Sequence, residues 1–135
     1  MSANLTPTPG DVAIVTCIEK FTARAEEAIA IGAIVRYNTT TGLLTNANGT
    51  SAAEARACGM AVSKDGTGVY TVLRKGIVDV GDVLGDLTYD DDVYLSDTDG
   101  LLADDTAPTV DVIVGTVVPK SNYPSAADKL LRIDL

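Results

Sequence analysis

Residues 32–44 read GAIVRYNTTTGLL. Ala33, Val35 and Tyr37 fall on one face and Arg36 and Asn38 on the other, the period of two that marks a strand. The alternation stops at Thr39-Thr40-Thr41-Gly42, a polar turn that hands the chain to Leu43 and Leu44, as in a hairpin. Residues 91–102, DDVYLSDTDGLL, follow the same plan. Val35, Thr40, Gly42, Leu43 and Leu44 match Val93, Thr98, Gly100, Leu101 and Leu102 at identical spacing, and Gly59, Val62 and Lys64 then recur as Gly115, Val118 and Lys120. A duplicated unit would produce this and give a pseudo-symmetric β-fold; so would the common grammar of glycine-turned hairpins.

Further strands are expected at Val12–Glu19, Gly59–Lys64, Val69–Lys75, Val93–Ser96, Val110–Val118 and Leu130–Leu135. The first, VAIVTCIE, is apolar at nearly every position, so both its faces are expected to be covered. In the last, Leu131, Ile133 and Leu135 face one way and Arg132 and Asp134 the other. Phe21–Ala30 has helix-favouring composition without a clear cap and reads as a short helix or a loop. Ser51 and Glu54 have capping-box spacing, which predicts one or two helical turns before Gly59. The fold class is therefore all-β, a small barrel or sandwich with one or two short helices. Residues 1–11, with Pro7 and Pro9 and no periodic pattern, read as an extended N-terminal arm, and 12–135 as one β-rich domain.

A chain of 135 residues suits a single core. Val, Ile, Leu and Ala supply most of its 46% hydrophobic content, with one Phe and no Trp, and β-branched aliphatics pack best on pleated surfaces. The chain contains no His, which removes Ser–His and Cys–His catalysis and the commonest nitrogen ligand for metals. Cys17 and Cys58 lack CxxC spacing and read as buried free thiols. Neither a signal peptide nor a membrane span is expected, and the chain reads as soluble and made in the cytoplasm. Its net charge of −9 opposes binding to a phosphate backbone, so no nucleic-acid partner is expected.

Charge is unevenly spread. Between Lys75 and Lys120 there is no base, yet eleven Asp fall there. Solvated turns account for these, because a short carboxylate bonds nearby backbone N–H groups. Asp97-Thr98-Asp99-Gly100 resembles a fragment of a calcium loop, but the third oxygen ligand and the distal Glu are missing. Paired carboxylates for glycoside hydrolysis would want aromatic sugar platforms, which this composition hardly supplies. No phosphate loop, dinucleotide fingerprint or nucleophile elbow is present. The expectation is thus a protein that is not an enzyme and takes no cofactor, metal or small-molecule substrate. Lys64, Arg74 and Lys75 form the one basic cluster, either a solvated strand end or a contact for an acidic neighbouring subunit.

The succession TPTPGDV, GAIVRYNTTTGLL, ACGMAVSK, GVYTVLRKGIVDV, DDVYLSDTDGLL, VDVIVGTVVPK and KLLRIDL resembles the head-decoration, or capsid cement, proteins of tailed bacteriophages and covers most of the chain. The resemblance implies a tulip-like β-body made in the bacterial host cytoplasm. It also implies that a homotrimer binds the outer surface of the mature head, with the major capsid protein as partner, and staples neighbouring capsomers. No catalytic residues carry over. The arm becomes a contact segment, with Leu5, Pro7 and Pro9 joining Lys64, Arg74 and Lys75 as candidate capsid contacts. The competing expectation is a carbohydrate- or receptor-binding β-domain of a phage tail or fibre.

Overall fold

The computed structural model describes residues 4–105, 109–119 and 129–135. Strands take 52% of the described residues and helix 2%, so the all-β reading holds. Among the described residues ten strands form one curled antiparallel sheet: β1 (Asn4–Leu5), β2 (Val12–Arg24), β3 (Ile34–Tyr37), β4 (Leu44–Asn46), β5 (Gly59–Gly66), β6 (Val69–Val80), β7 (Asp92–Leu95), β8 (Leu102–Ala103), β9 (Ile113–Pro119) and β10 (Lys129–Asp134). Their order is β1-β8-β7-β9-β10-β6-β5-β3-β4, with β2 added along β6.

The two stretches that match in sequence also match in pairing. Tyr37 lies opposite Leu44 and Val35 opposite Gly59; Leu95 lies opposite Leu102 and Val93 opposite Gly115. Each hairpin closes with the same backbone bond, Asn38 N to Leu43 O at 2.8 Å and Ser96 N to Leu101 O at 2.9 Å. A side-chain oxygen supports each turn, the Asn38 Oδ1 accepting from Thr40 N and the Ser96 Oγ from Thr98 N. Gly42 and Gly100 sit at φ 73° and 74°, a left-handed conformation open to glycine at little cost. The units β4-β3-β5-β6 and β8-β7-β9-β10 therefore share one strand order and one register. Lys120, the last member of the sequence match, lies outside the described residues.

Strand β6 joins the two units. Val69–Leu73 pairs with β5, and Lys75–Val78 pairs with β10, so the sheet forks near Arg74. Ile34, Met60 and Leu73 of the first unit meet Val93, Leu95, Val117, Leu131 and Ile133 of the second in the main core. The opposite face of the first unit carries Val35, Ala61 and Val72, which form a second cluster with Ile29, Leu44 and Tyr70. Adjacent residues such as Ile34 and Val35 thus enter different cores, as the pleat requires. Far-ultraviolet circular dichroism is expected to show one β-type minimum; a helical double minimum would contradict the strand assignment.

Three expectations need correction. Of Phe21–Ala30, read as a short helix or a loop, residues 25–30 are loop, but Phe21–Arg24 continues β2, because Phe21 and Ala23 turn inward against the second cluster and stabilise extended chain. The Ser51–Glu54 pair forms its cap, Glu54 N donating to Ser51 Oγ at 3.2 Å, but only a single turn follows before the chain enters β5. No α-helix occurs among the described residues. Strand β2 is also not covered on both faces: Ala13–Lys20 is exposed throughout. Its register against β6 slips three times, between Ile14 and Thr16 and between Cys17 and Glu19, where β2 carries the extra residue, and between Glu19 and Lys20, where β6 does. Val15 and Ile18 are the extra residues at those bulges, and they stand 54% and 72% exposed. A bulge re-aims the side chain it carries, and here it points aliphatic groups at solvent.

Candidate functional site

The candidate contact residues fall in three places. Leu5 belongs to β1, opposite Leu102 of β8, and its half-buried side chain packs on the main core. Asn4 beside it accepts a 2.5 Å bond from Ser96 Oγ and donates to Thr98 Oγ1. Pro7 is buried, close to Gly32, whereas Pro9 is exposed and opens a single 3-10 turn, Pro9–Asp11. The described part of the arm therefore lies on the chain's own sheet; residues 1–3 are outside the described residues. Leu5→Ala is expected to destabilise the fold by about 1–2 kcal/mol, a fraction of a fully buried leucine's worth. Pro9→Ala should change the melting temperature little; equal and negligible effects of both would detach the arm from the core.

Arg74 and Lys75 are neighbours on β6, and each is engaged. Arg74 Nη1 lies 2.8 Å from Glu19 Oε2 and its Nε donates to Leu135 O, while Lys75 Nζ lies 2.8 Å from Asp134 Oδ1. The lysine's hydrogen bond and then its charge hold the Asp134 carboxyl below its usual pKa. Both pairs are largely open to solvent, so screening leaves each with little effect on stability. Arg74→Ala and Lys75→Ala are therefore expected to melt within a few degrees of the parent. Such variants can report on binding without confusion from unfolding; a collapse of stability would contradict the exposed geometry.

Lys64 sits elsewhere, exposed on β5 opposite Tyr70. Tyr70 and Arg74 lie four positions apart on β6, about 13 Å of strand. The three bases do not form one patch. Lys64 borders a depression with Ala25, Glu26, Glu27, Ala28, Gly68 and Tyr70.

Part of the acidic run supports turns and loops. Asp79 Oδ1 accepts from Gly81 N, Asp91 Oδ2 from Thr88 N and Asp99 Oδ1 from Asn48 Nδ2. Asp91 also lines an open depression together with Asp90, Asp92, Tyr94, Asp104 and Asp105. Loss of solvent, then the charges of Asp92, Asp105 and Asp111, push the Tyr94 phenol up. Among the described residues no three acid or thiol side chains are placed to hold a metal ion, and no helix is long and apolar enough to cross a membrane.

Both thiols are free. Cys58 is half-buried beside the second cluster, and burial pushes its pKa up to about 11. Cys17, expected to be buried, is exposed on β2 between the two bulges. Sequence reasoning missed β2 as a surface, because an apolar run carries no signature that separates a covered strand from a bare one. No family model, curated protein or solved structure matches the chain.

Proposed function

We propose that the protein is a structural decoration module of a tailed-phage head, a homotrimer that binds the major capsid protein on the outer surface of the mature shell and staples neighbouring capsomers. It performs no catalysis in this reading. The observation that carries the proposal is electrostatic polarity within a stiff β-body. Residues 76–119 hold eleven of the nineteen acids and no base, which leaves eight acids and ten bases for the rest of the chain. Strands β7, β8 and β9 stand together on one side of β10, while Lys64, Arg74 and Lys75 lie on β5 and β6.

Such a body orients itself on a surface, its acidic unit repelled and its other unit accepted. An acidic outer layer also suits a position on the far side of the shell from packaged nucleic acid. Stapling needs only modest contacts: a trimer that engages several capsomers makes each later contact intramolecular. The protein is then made in the host cytoplasm and resides on the virion.

Cosedimentation with undecorated heads tests this reading. Saturable binding that weakens with salt is expected, with Arg74→Ala and Lys64→Ala binding less tightly. Absence of binding to heads, together with specific signals on a glycan array, would replace it with the tail or fibre receptor-binding reading.

A further inference from the structure

We infer that the bulged face of β2 is the surface through which copies of this chain associate, Val15 and Ile18 packing against a second copy. The inference rests on the oligomeric half of the proposed function and assigns that role to named residues. Among the described residues, six large hydrophobics are exposed, and three of them, Ile14, Val15 and Ile18, fall within five positions of one strand. β2 bonds only β6, so the other edge of its Val12–Lys20 part has no partner strand among the described residues. The two bulges interrupt the regular hydrogen-bond ladder, which discourages open-ended strand addition. They also push the aliphatic side chains outward. A strand so built suits a contact through side chains that closes at a fixed number of copies.

Charge points to a second copy as the occupant. Copies of a chain of net charge −9 repel one another, so a contact between them is favoured where the surface carries no net charge. Val12–Ile18 carries no charged residue. The other exposed hydrophobics lie by charge: Tyr89 precedes Asp90–Asp92, Tyr37 follows Arg36, and Ile113 shares a depression with Arg132 and Asp134. The ends of the β2 run have opposite signs, Asp11 before it and Lys20 after it, both exposed, while Glu19 is already paired with Arg74. In a ring of copies with β2 running around the axis, the end of one strand meets the start of the next. Lys20 of each copy then faces Asp11 of its neighbour, an arrangement a trimer accommodates.

Sedimentation equilibrium of the full chain, with circular dichroism as a folding control, tests the inference. Ile18→Asp and Val15→Asp are expected to raise the dissociation constant at least tenfold while keeping the β spectrum, and Ile113→Asp should leave it unchanged. Lys20→Asp should weaken association, and adding Asp11→Lys to it should restore most of the loss. Alkylation of Cys17 should slow as concentration rises and the oligomer fills, with half-buried Cys58 reacting at a rate independent of concentration. Association of Ile18→Asp and Val15→Asp equal to the parent would overturn this assignment and leave the trimer intact. A parent that stays a 14.0 kDa monomer at micromolar concentration would overturn both, whether or not it binds heads.

Discussion

Gly115→Ala is expected to destabilise the protein by about 3 kcal/mol or more, the upper end for an overpacked site. A Cβ at Gly115 would lie 1.9 Å from Arg132 O and 2.8 Å from Arg132 C. These are backbone atoms of β10, so no rotamer change relieves the clash; β9 and β10 must separate or slip. That pairing ties the second unit to β6 and so to the rest of the sheet. The matching position behaves alike, since a Cβ at Gly59 would lie 2.6 Å from Leu73 O, across the equivalent strand pair. For a domain of this size the melting temperature should fall by about 10 °C or more. Gly66→Ala, which meets nothing within 4 Å, is the control and should melt near the parent. A Gly115→Ala protein as stable as that control would mean that β9 and β10 do not approach at this register.

The next largest effect is expected from Leu73→Ala, about 2–5 kcal/mol. Leu73 is fully buried at the fork of the sheet, one residue before Arg74, where β6 leaves β5 for β10. Its side chain belongs to the main core, which is walled by strands of both units. Collapse around the lost atoms would require the units to approach, and the shared strand β6 opposes that, so most of the cavity persists. Thermal unfolding followed by circular dichroism measures the loss. Leu101→Ala, at a half-buried turn position, should cost clearly less. Equal losses would indicate that the two units are not packed around a common core.

Much of this architecture can be read from residues whose partners are close in sequence. The hairpins at 34–46 and 92–103 announce themselves through alternation and a T-x-G-L-L turn, and their equivalence extends to individual bonds. What escaped reading depends on distant partners. The bulges of β2 arise where it meets Gly76, whose missing side chain leaves room for Thr16 O; a Cβ there would lie 2.2 Å from that oxygen. Nothing in VAIVTCIE encodes that approach. The partners of Arg74 and Lys75, Glu19 and Asp134, are 55 and 59 residues away, so the cluster reads as free charge until the sheet is assembled. Pro7 in the arm resembles a loop residue, yet it is buried beside Gly32, a neighbour 25 residues away. Of the candidate contacts, the bases and Pro9 remain on the surface, while Leu5 and Pro7 belong first to the fold.

Electron cryo-microscopy of undecorated phage heads incubated with the purified protein shows whether the protein decorates the shell. The expected result is threefold density on the outer face of the shell, into which the β-body fits with β7, β8 and β9 facing solvent and Lys64, Arg74 and Lys75 toward the capsid. Bare shells under saturating protein, or density confined to the tail, would contradict it.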